Sequence, residues 1–230
     1  MARRREFDGA VTLIGGGQVT SAALARARTH APRLVAADGG ADAALALGAL
    51  PDLAVGDFDS ISDRARAALG PDRLIHDADQ DTTDFDKALA ALAAPLVLAV
   101  GFAGARLDHT LAAMSTLARH PHRRVVIDTG HDLCLLCPPR LALDLPPGAR
   151  VSLFPMKALT CASEGLVWPT EGLTLAPDGR IGTSNAAQGG AVVLEPQGPG
   201  LLLLLAVEAL EPLLAALSAA PPWPAPARAG

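Results

Sequence analysis

Five carboxylates fall within ten residues in the stretch Asp77-Ala78-Asp79-Gln80-Asp81-Thr82-Thr83-Asp84-Phe85-Asp86. At that density like charges repel one another unless a cation compensates them. Aspartates are hard oxygen ligands of the kind magnesium accepts, so a divalent metal ion is the cation the pattern suggests. Part of the stretch has a simpler explanation. Phe85, Ala88, Leu89 and Leu92 recur at helical spacing and run out at Pro95, which predicts a helix with Thr83 as its cap. Asp84 and Asp86 then sit in the first turn, where the helix dipole favours negative charge. Asp77, Asp79 and Asp81 precede that helix, and no cap needs them. By themselves they fit either a solvated acidic loop or a metal site that brings in a polyphosphate, which bare aspartates would repel.

A second pair, Asp57 and Asp59, lies in Gly56-Asp57-Phe58-Asp59-Ser60 just after an apolar run. In extended geometry residues two apart point to the same side, so both carboxylates could share one cation. Magnesium takes one or two carboxylates plus substrate phosphates and water, and Asp57, Asp59 and one acid of residues 77–86 would supply them. A turn capping the next helix would use the same residue types.

The elements that must position these acids alternate. Strands are expected at 11–14, 34–37, 53–55, 74–76, 96–100 and 125–127. Helices are expected at 21–29, 41–47, 62–69, from about 84, and at 110–119. Such alternation indicates a doubly wound, mainly parallel sheet, in which ligands bind beyond the carboxyl ends of the strands. Asp38, Asp57, Asp59, Asp79, Asp81, Asp84 and Asp108 all follow expected strands, so the fold gathers them along one edge. Gly15-Gly16-Gly17 after the first strand is compatible with phosphate but lacks the full dinucleotide fingerprint, and equally fits a plain loop. After Pro138-Pro139 short apolar runs at 141–145, 150–154, 173–175, 191–194 and 201–207 are separated by turn signals, which predicts an all-β sandwich or barrel. The expected organisation is an α/β domain over 1–138, a β-sandwich over 139–212, and a short helix with a Pro-rich tail over 213–230. The tail is expected not to pack.

Composition excludes several roles. The net charge is −5 and no basic run exceeds Arg3-Arg4-Arg5, which argues against nucleic acid and anionic membranes as partners. With five Phe, two Trp and no Tyr, the chain cannot build a platform for stacking successive bases. The apolar segment behind the arginines, Val11 to Ile14, is too short for a signal peptide, and Leu201 to Val207 is far short of the ~20 residues that span a bilayer. A cytoplasmic location is expected. Cys134 and Cys137 resemble half a zinc site, but no second pair exists, and on a strand their side chains would diverge. They and Cys161 are expected to be buried thiols.

Six segments, in order, resemble the thiamine pyrophosphokinase (thiamine diphosphokinase) family. They are Ala37-Asp38-Gly39-Gly40-Ala41, Gly56-Asp57-Phe58-Asp59-Ser60-Ile61, Asp79 through Leu89, Arg106-Leu107-Asp108-His109, Gly165-Leu166-Val167-Trp168 and Gly182-Thr183-Ser184-Asn185. The resemblance implies an α/β domain with a C-terminal β-sandwich, assembled as a homodimer with sites between subunits. It also implies a magnesium-dependent enzyme that moves the pyrophosphoryl group of ATP to the hydroxyl of thiamine, giving thiamine diphosphate and AMP. Carried over position by position, Asp57, Asp59 and Asp84 are the magnesium ligands, with Asp38 and Asp81 in the surrounding polar network. Asp38, Gly39, Thr83, Lys87, Arg106 and Asp108 fall at the ATP end, and Gln80, Trp168, Ser184 and Asn185 at the thiamine end. Asp57, Asp59, Asp81 and Asp84 carry the chemistry, with Asp81 a candidate acceptor for the hydroxyl proton. His109 reads as structural.

Each of these residues also has a bland alternative. Lys87 could be a solvated helix residue, Arg106 could merely pair with Asp108, Trp168 could belong to the core, and Ser184-Asn185 could be a turn. Other functions compatible with an acidic edge are a magnesium-dependent phosphohydrolase or nucleotidyl enzyme, and a thiamine- or nucleotide-sensing module.

Overall fold

The structure is a computed structural model that describes residues 4–104 and 106–225. Arg3 of the basic run, Ala105 and the tail from Pro226 lie outside the described residues. The chain divides into two compact units. The first comprises Met1–Thr116 with Val125–Gly130, and the second Leu117–Arg124 with His131–Gly230.

The first unit holds strands β1 (Arg5–Glu6), β2 (Val11–Ile14), β3 (Arg33–Ala37), β4 (Leu53–Gly56), β5 (Leu74–His76), β6 (Leu92–Ala93), β7 (Val97–Val100) and β8 (Val125–Asp128). Between them run helices α1 (Ser21–His30), α2 (Gly40–Ala46), α3 (Asp63–Leu69), α4 (Asp84–Ala91) and α5 (Leu107–Arg119). β3, β4 and β5 pair in parallel, as do β2, β7 and β8. β2 lies beside β3, so the order is β8-β7-β2-β3-β4-β5 and the winding reverses at β2. β2, β4, β7 and β8 are buried at every position, as expected of parallel strands covered on both faces. Four caps follow the sequence rules: Thr20, Ser62 and Thr83 each accept a main-chain N–H from three residues on, and a backbone bond closes α1 at Ala31.

At the reversal the strand ends approach too closely for side chains. A Cβ on Gly15 would lie 2.7 Å from the Gly101 carbonyl oxygen, and one on Gly17 2.6 Å from the same atom. A Cβ on Gly40 would collide with the Ile14 carbonyl, so α2 can begin against the end of β2 only because glycine stands there. Packing therefore accounts for Gly15 and Gly17.

The second unit holds β9 (Asp132–Leu136), β10 (Leu141–Leu145), β11 (Arg150–Pro155), β12 (Leu159–Glu164), β13 (Thr174–Leu175), β14 (Gly182–Ala186), β15 (Gly190–Pro196), β16 (Leu201–Ala206) and helix α6 (Leu210–Ala219). All its pairings are antiparallel, in the orders β14-β11-β16-β9 and β10-β15-β12-β13. In β10 the leucines are buried and the residues between them exposed, the alternation of a half-covered sheet. Cys134, Cys137 and Cys161 are buried free thiols, as expected, and burial pushes Cys134 up to about 12 and Cys161 up to about 11.

Several expectations need correction. β14 was not legible as a strand, because Gly-Thr-Ser-Asn-Ala has no apolar alternation and is stabilised by pairing with β11. Helix α5 starts at Leu107, so Asp108 and His109 belong to its first turn and not to a loop before residue 110. The tail is partly fixed, since the Trp223 indole donates to the Cys137 carbonyl at 2.9 Å. Among the described residues no helix is long and apolar enough to cross a membrane.

Candidate active site

Asp38 sits one residue past β3 with a left-handed backbone (φ 42°) and is 1% exposed. One carboxylate oxygen accepts the Ser60 N–H at 3.1 Å, while the other, Oδ1, is buried without a hydrogen-bond partner among the described residues. A buried carboxylate oxygen left unpaired costs about 1–3 kcal/mol, so this atom asks for a cation. Asp57 and Asp59 follow β4, and one oxygen from each of Asp38, Asp57 and Asp59 lies within 4.8 Å of the others. Burial, reinforced by the Asp84 carboxylate, pushes the Asp38 carboxyl above its ordinary range.

The pair Asp57 and Asp59 converges by a different route from the extended one expected. Phe58 between them has φ 65°, so the chain turns there rather than running on as strand. Its buried ring packs 5.8 Å from the His76 ring with the Arg66 guanidinium 5.7 Å above it, and Arg66 donates to the Phe58 carbonyl. These contacts offset the ~1–2 kcal/mol that a left-handed backbone costs an ordinary residue. The density of turn formers in Gly-Asp-Phe-Asp-Ser was the available signal that the geometry would not be extended.

Helix α4 delivers the compensating charge. Lys87 is 3% exposed, with its ammonium 2.7 Å from Asp57 Oδ2 and 3.6 Å from Asp84 Oδ1. Burial alone would lower the lysine, but the two carboxylates outweigh it and hold the ammonium above its ordinary value. The Lys87 hydrogen bond is also the main reason the Asp57 carboxyl is held down. The solvated reading of Lys87 is therefore wrong. Gln80 donates to the same Asp57 oxygen at 3.0 Å. Asp84 lies outside the group of three, and burial raises its carboxyl. Thr83 caps α4 and donates to Asp86 Oδ2 at 2.8 Å, an oxygen that also accepts from Thr116 of α5 at 3.1 Å. Asp86, buried, thus ties two helices together in addition to occupying the first turn.

The loop before α4 explains part of the acidic density locally. Asp77 accepts the N–H of Asp79, and Asp79 accepts the N–H of Asp81 and the Thr82 hydroxyl. The Asp81 N–H is the first reason the Asp79 carboxyl is held down. Asp81 is exposed and apart from the group of three. Arg106 pairs with Asp108 at 2.6 Å, both exposed, as the bland alternative had it. Gly39 precedes α2, and a Cβ there would stand 3.4 Å from that of Ser60.

In the second unit Trp168 is 60% exposed and is not a core residue. Ser184 and Asn185 lie on β14, not in a turn. Ser184 is exposed with φ 60°, and its N–H donates to Ser152 Oγ at 3.0 Å, where the register of β11 and β14 shifts. Together with Asp38 and Phe58 it is one of three non-glycine residues with positive φ among the described residues. All three fall in segments that resembled the family.

Residues 24–127 match the family described as thiamin pyrophosphokinase, catalytic domain. The matched thiamin pyrophosphokinase segment contains Asp38, Asp57, Asp59, Asp84 and Lys87, and it bears out the resemblance drawn from the sequence. Thiamine pyrophosphokinase 3 of Oryza sativa subsp. japonica is 27% identical over 154 residues, 59% of this chain and 58% of that protein. Thiamine pyrophosphokinase 1 of Arabidopsis thaliana is 28% identical over 165 residues, 63% of this chain and 61% of that protein. The matches thus span about 60% of the length of these relatives. Among solved structures, thiamin pyrophosphokinase from Candida albicans superposes with a TM-score of 0.74 at 17% identity, covering 89% of this chain and 93% of that one. Thiamine pyrophosphokinase from Bacillus subtilis gives a TM-score of 0.69 at 19% identity, covering 86% and 98%. These two likenesses are likenesses of fold.

Proposed function

We propose that the protein transfers the pyrophosphoryl group of ATP to the hydroxyl of thiamine, giving thiamine diphosphate and AMP. The observation that carries the reading is the convergence of the Asp38, Asp57 and Asp59 carboxylates, with Asp38 buried, inside the segment that matches the thiamin pyrophosphokinase catalytic domain. The names of the plant relatives support the substrate. We read the first unit as the ATP-handling domain and the second as the thiamine-handling β-sandwich, in a homodimer as the resemblance implies. The limits expected from sequence, 1–138 and 139–212, differ from these units in that Leu117–Arg124 and residues 131–138 fall with the second unit.

Three carboxylates with hard oxygen donors, one of them buried and short of a partner, fit a magnesium ion. Asp38, Asp57 and Asp59 would hold it, with Asp84 beside them. When bound, magnesium supplies charge neutralisation between these carboxylates and the phosphates of ATP. The chain's own residues do the rest by positioning. Lys87 and Gln80 fix Asp57 Oδ2 in place. Thr83, Gly39, Arg106 and Asp108 stand at the nucleotide end, where release of Arg106 from Asp108 would free a guanidinium for phosphate. Trp168, exposed and hydrogen-bonded through its main chain to Asn185 next to Ser184, offers a ring to the cationic heterocycle of thiamine. Asp81, exposed on the loop before α4, is the residue we assign to accept the hydroxyl proton.

Asp59→Asn tests this reading with little structural penalty, because Asp59 is exposed and, among the described residues, its side chain accepts only from the neighbouring Ser60 hydroxyl. Formation of AMP and thiamine diphosphate should fall at least about a hundredfold with the thermal melt unchanged. Wild-type turnover retained by the variant would overturn the proposal.

A further inference from the structure

Trp168 combines an open ring with a closely held backbone. The main chain on either side of it is bonded to one side chain, that of Asn185, which is 5% exposed. The Asn185 amide oxygen accepts the Trp168 N–H at 3.2 Å and the Ala186 N–H at 2.8 Å, and its amide nitrogen donates to the Trp168 carbonyl at 2.7 Å. Gln188 repeats the device two residues before Trp168, with its side chain donating to the Leu166 carbonyl at 2.9 Å and its main chain to that of Gly165 at 2.8 Å. Beyond the tryptophan, Thr170 donates through its hydroxyl to the Cys161 carbonyl at 2.6 Å. The left-handed φ of Ser184 falls at the residue just before Asn185. It lets Thr183 and Ser184 stay exposed while Asn185 turns inward.

We infer that Asn185 is a positioning residue: it makes no contact with substrate, and it fixes the main chain of Trp168 so that the indole stands as a preformed platform. The identity of the ligand that stacks there, a cationic aromatic ring, rests on the proposed function. The clamp itself does not. Both its acceptor contacts and one of its two amide hydrogens are committed to backbone, so little of the buried amide remains to bind a ligand. An exposed indole on a mobile loop would have to be ordered at each binding event, whereas one on a fixed backbone pays less of that entropy.

The test uses the full chain labelled with 5-fluorotryptophan, which gives two fluorine resonances because the sequence holds two tryptophans, Trp168 and Trp223. Trp168→Phe assigns them. Asn185→Ala should shift and narrow the Trp168 resonance while leaving that of Trp223 in place. The KM for thiamine should rise about tenfold, the worth of one to two lost hydrogen bonds, with kcat held within about twofold. Asn185→Asp keeps the two acceptor contacts and loses the donor, so both readouts should fall between wild type and Asn185→Ala. If Asn185→Ala does not fold, Asn185→Asp decides by the same resonance. An unmoved Trp168 resonance in the variant, with or without a rise in KM, overturns the clamp. If thiamine leaves the wild-type Trp168 resonance untouched, the ligand assignment fails, and the clamp is judged on the free protein alone.

Discussion

The Lys87 ammonium is 2.7 Å from Asp57 Oδ2 and almost wholly removed from solvent. A buried lysine is tolerated only where opposite charge meets it, and here Asp57 and Asp84 supply that charge from two elements. The ion pair holds the acidic edge together before any ligand arrives. It also changes which variants are informative. Asp57→Asn would strand a buried ammonium, so loss of activity in that variant would be mixed with loss of stability.

Lys87→Ala leaves Asp57 and Asp84 without their compensating charge, beside Asp38 and Asp59. Breaking a buried pair typically costs about 3–5 kcal/mol, and because Asp84 is 45% exposed we expect about 2 kcal/mol here. Thermal melts should show the loss in chelator and a partial recovery in excess Mg²⁺. An unchanged melt would mean that the pair stabilises nothing.

Asp38→Asn should do the opposite to stability. The folded-state pKa of Asp38 is raised, first by burial and then by Asp84, so ionisation favours the unfolded chain. Stability is therefore lost as pH rises from about 3.8 through the raised folded value, and the loss persists at neutral pH. Asparagine keeps an acceptor for the Ser60 N–H and removes the charge. The variant should melt about 2–4 °C higher than wild type at pH 7 in chelator, and Mg²⁺ should raise its melt less than it raises that of wild type. A lower melt in chelator would contradict the assignment.

Phe58 allows a test of backbone strain. Phe58→Ala and Phe58→Gly both lose the packing on His76 and Arg66, but only alanine keeps the penalty of φ 65°. Glycine ordinarily costs about 0.5–1 kcal/mol more than alanine. Here the order should reverse, with Phe58→Gly more stable than Phe58→Ala by about 1 kcal/mol in denaturant unfolding. The ordinary order would show that the turn relaxes once the ring is gone.

Much of this was legible in the sequence, for reasons that differ by residue. The strands from Val11 to Ile14 and from Leu141 to Leu145 were found at their observed limits because buried apolar runs and strict alternation are local signals. Thr83 was found because a cap three residues ahead of its N–H partner is also local. The gathering of Asp38 with Asp57 and Asp59 followed from topology. Which carboxylate is buried did not, because the depth of Asp38 depends on Gly56, where a Cβ would stand 2.8 Å from that of Asp38. The burial of Lys87, the turn at Phe58 and the clamp of Asn185 on Trp168 each depend on partners distant in the chain. Spacing alone does not reveal them.

Transfer of a pyrophosphoryl group, and not of a single phosphoryl group or to water, separates the proposed reaction from its alternatives. ATP labelled at its γ-phosphorus, supplied with Mg²⁺ and thiamine, follows that group directly. The label should appear in thiamine diphosphate, one equivalent for each AMP formed, and only when thiamine and Mg²⁺ are both present. Label released as phosphate or pyrophosphate without thiamine, or ATP bound and left intact, would contradict it.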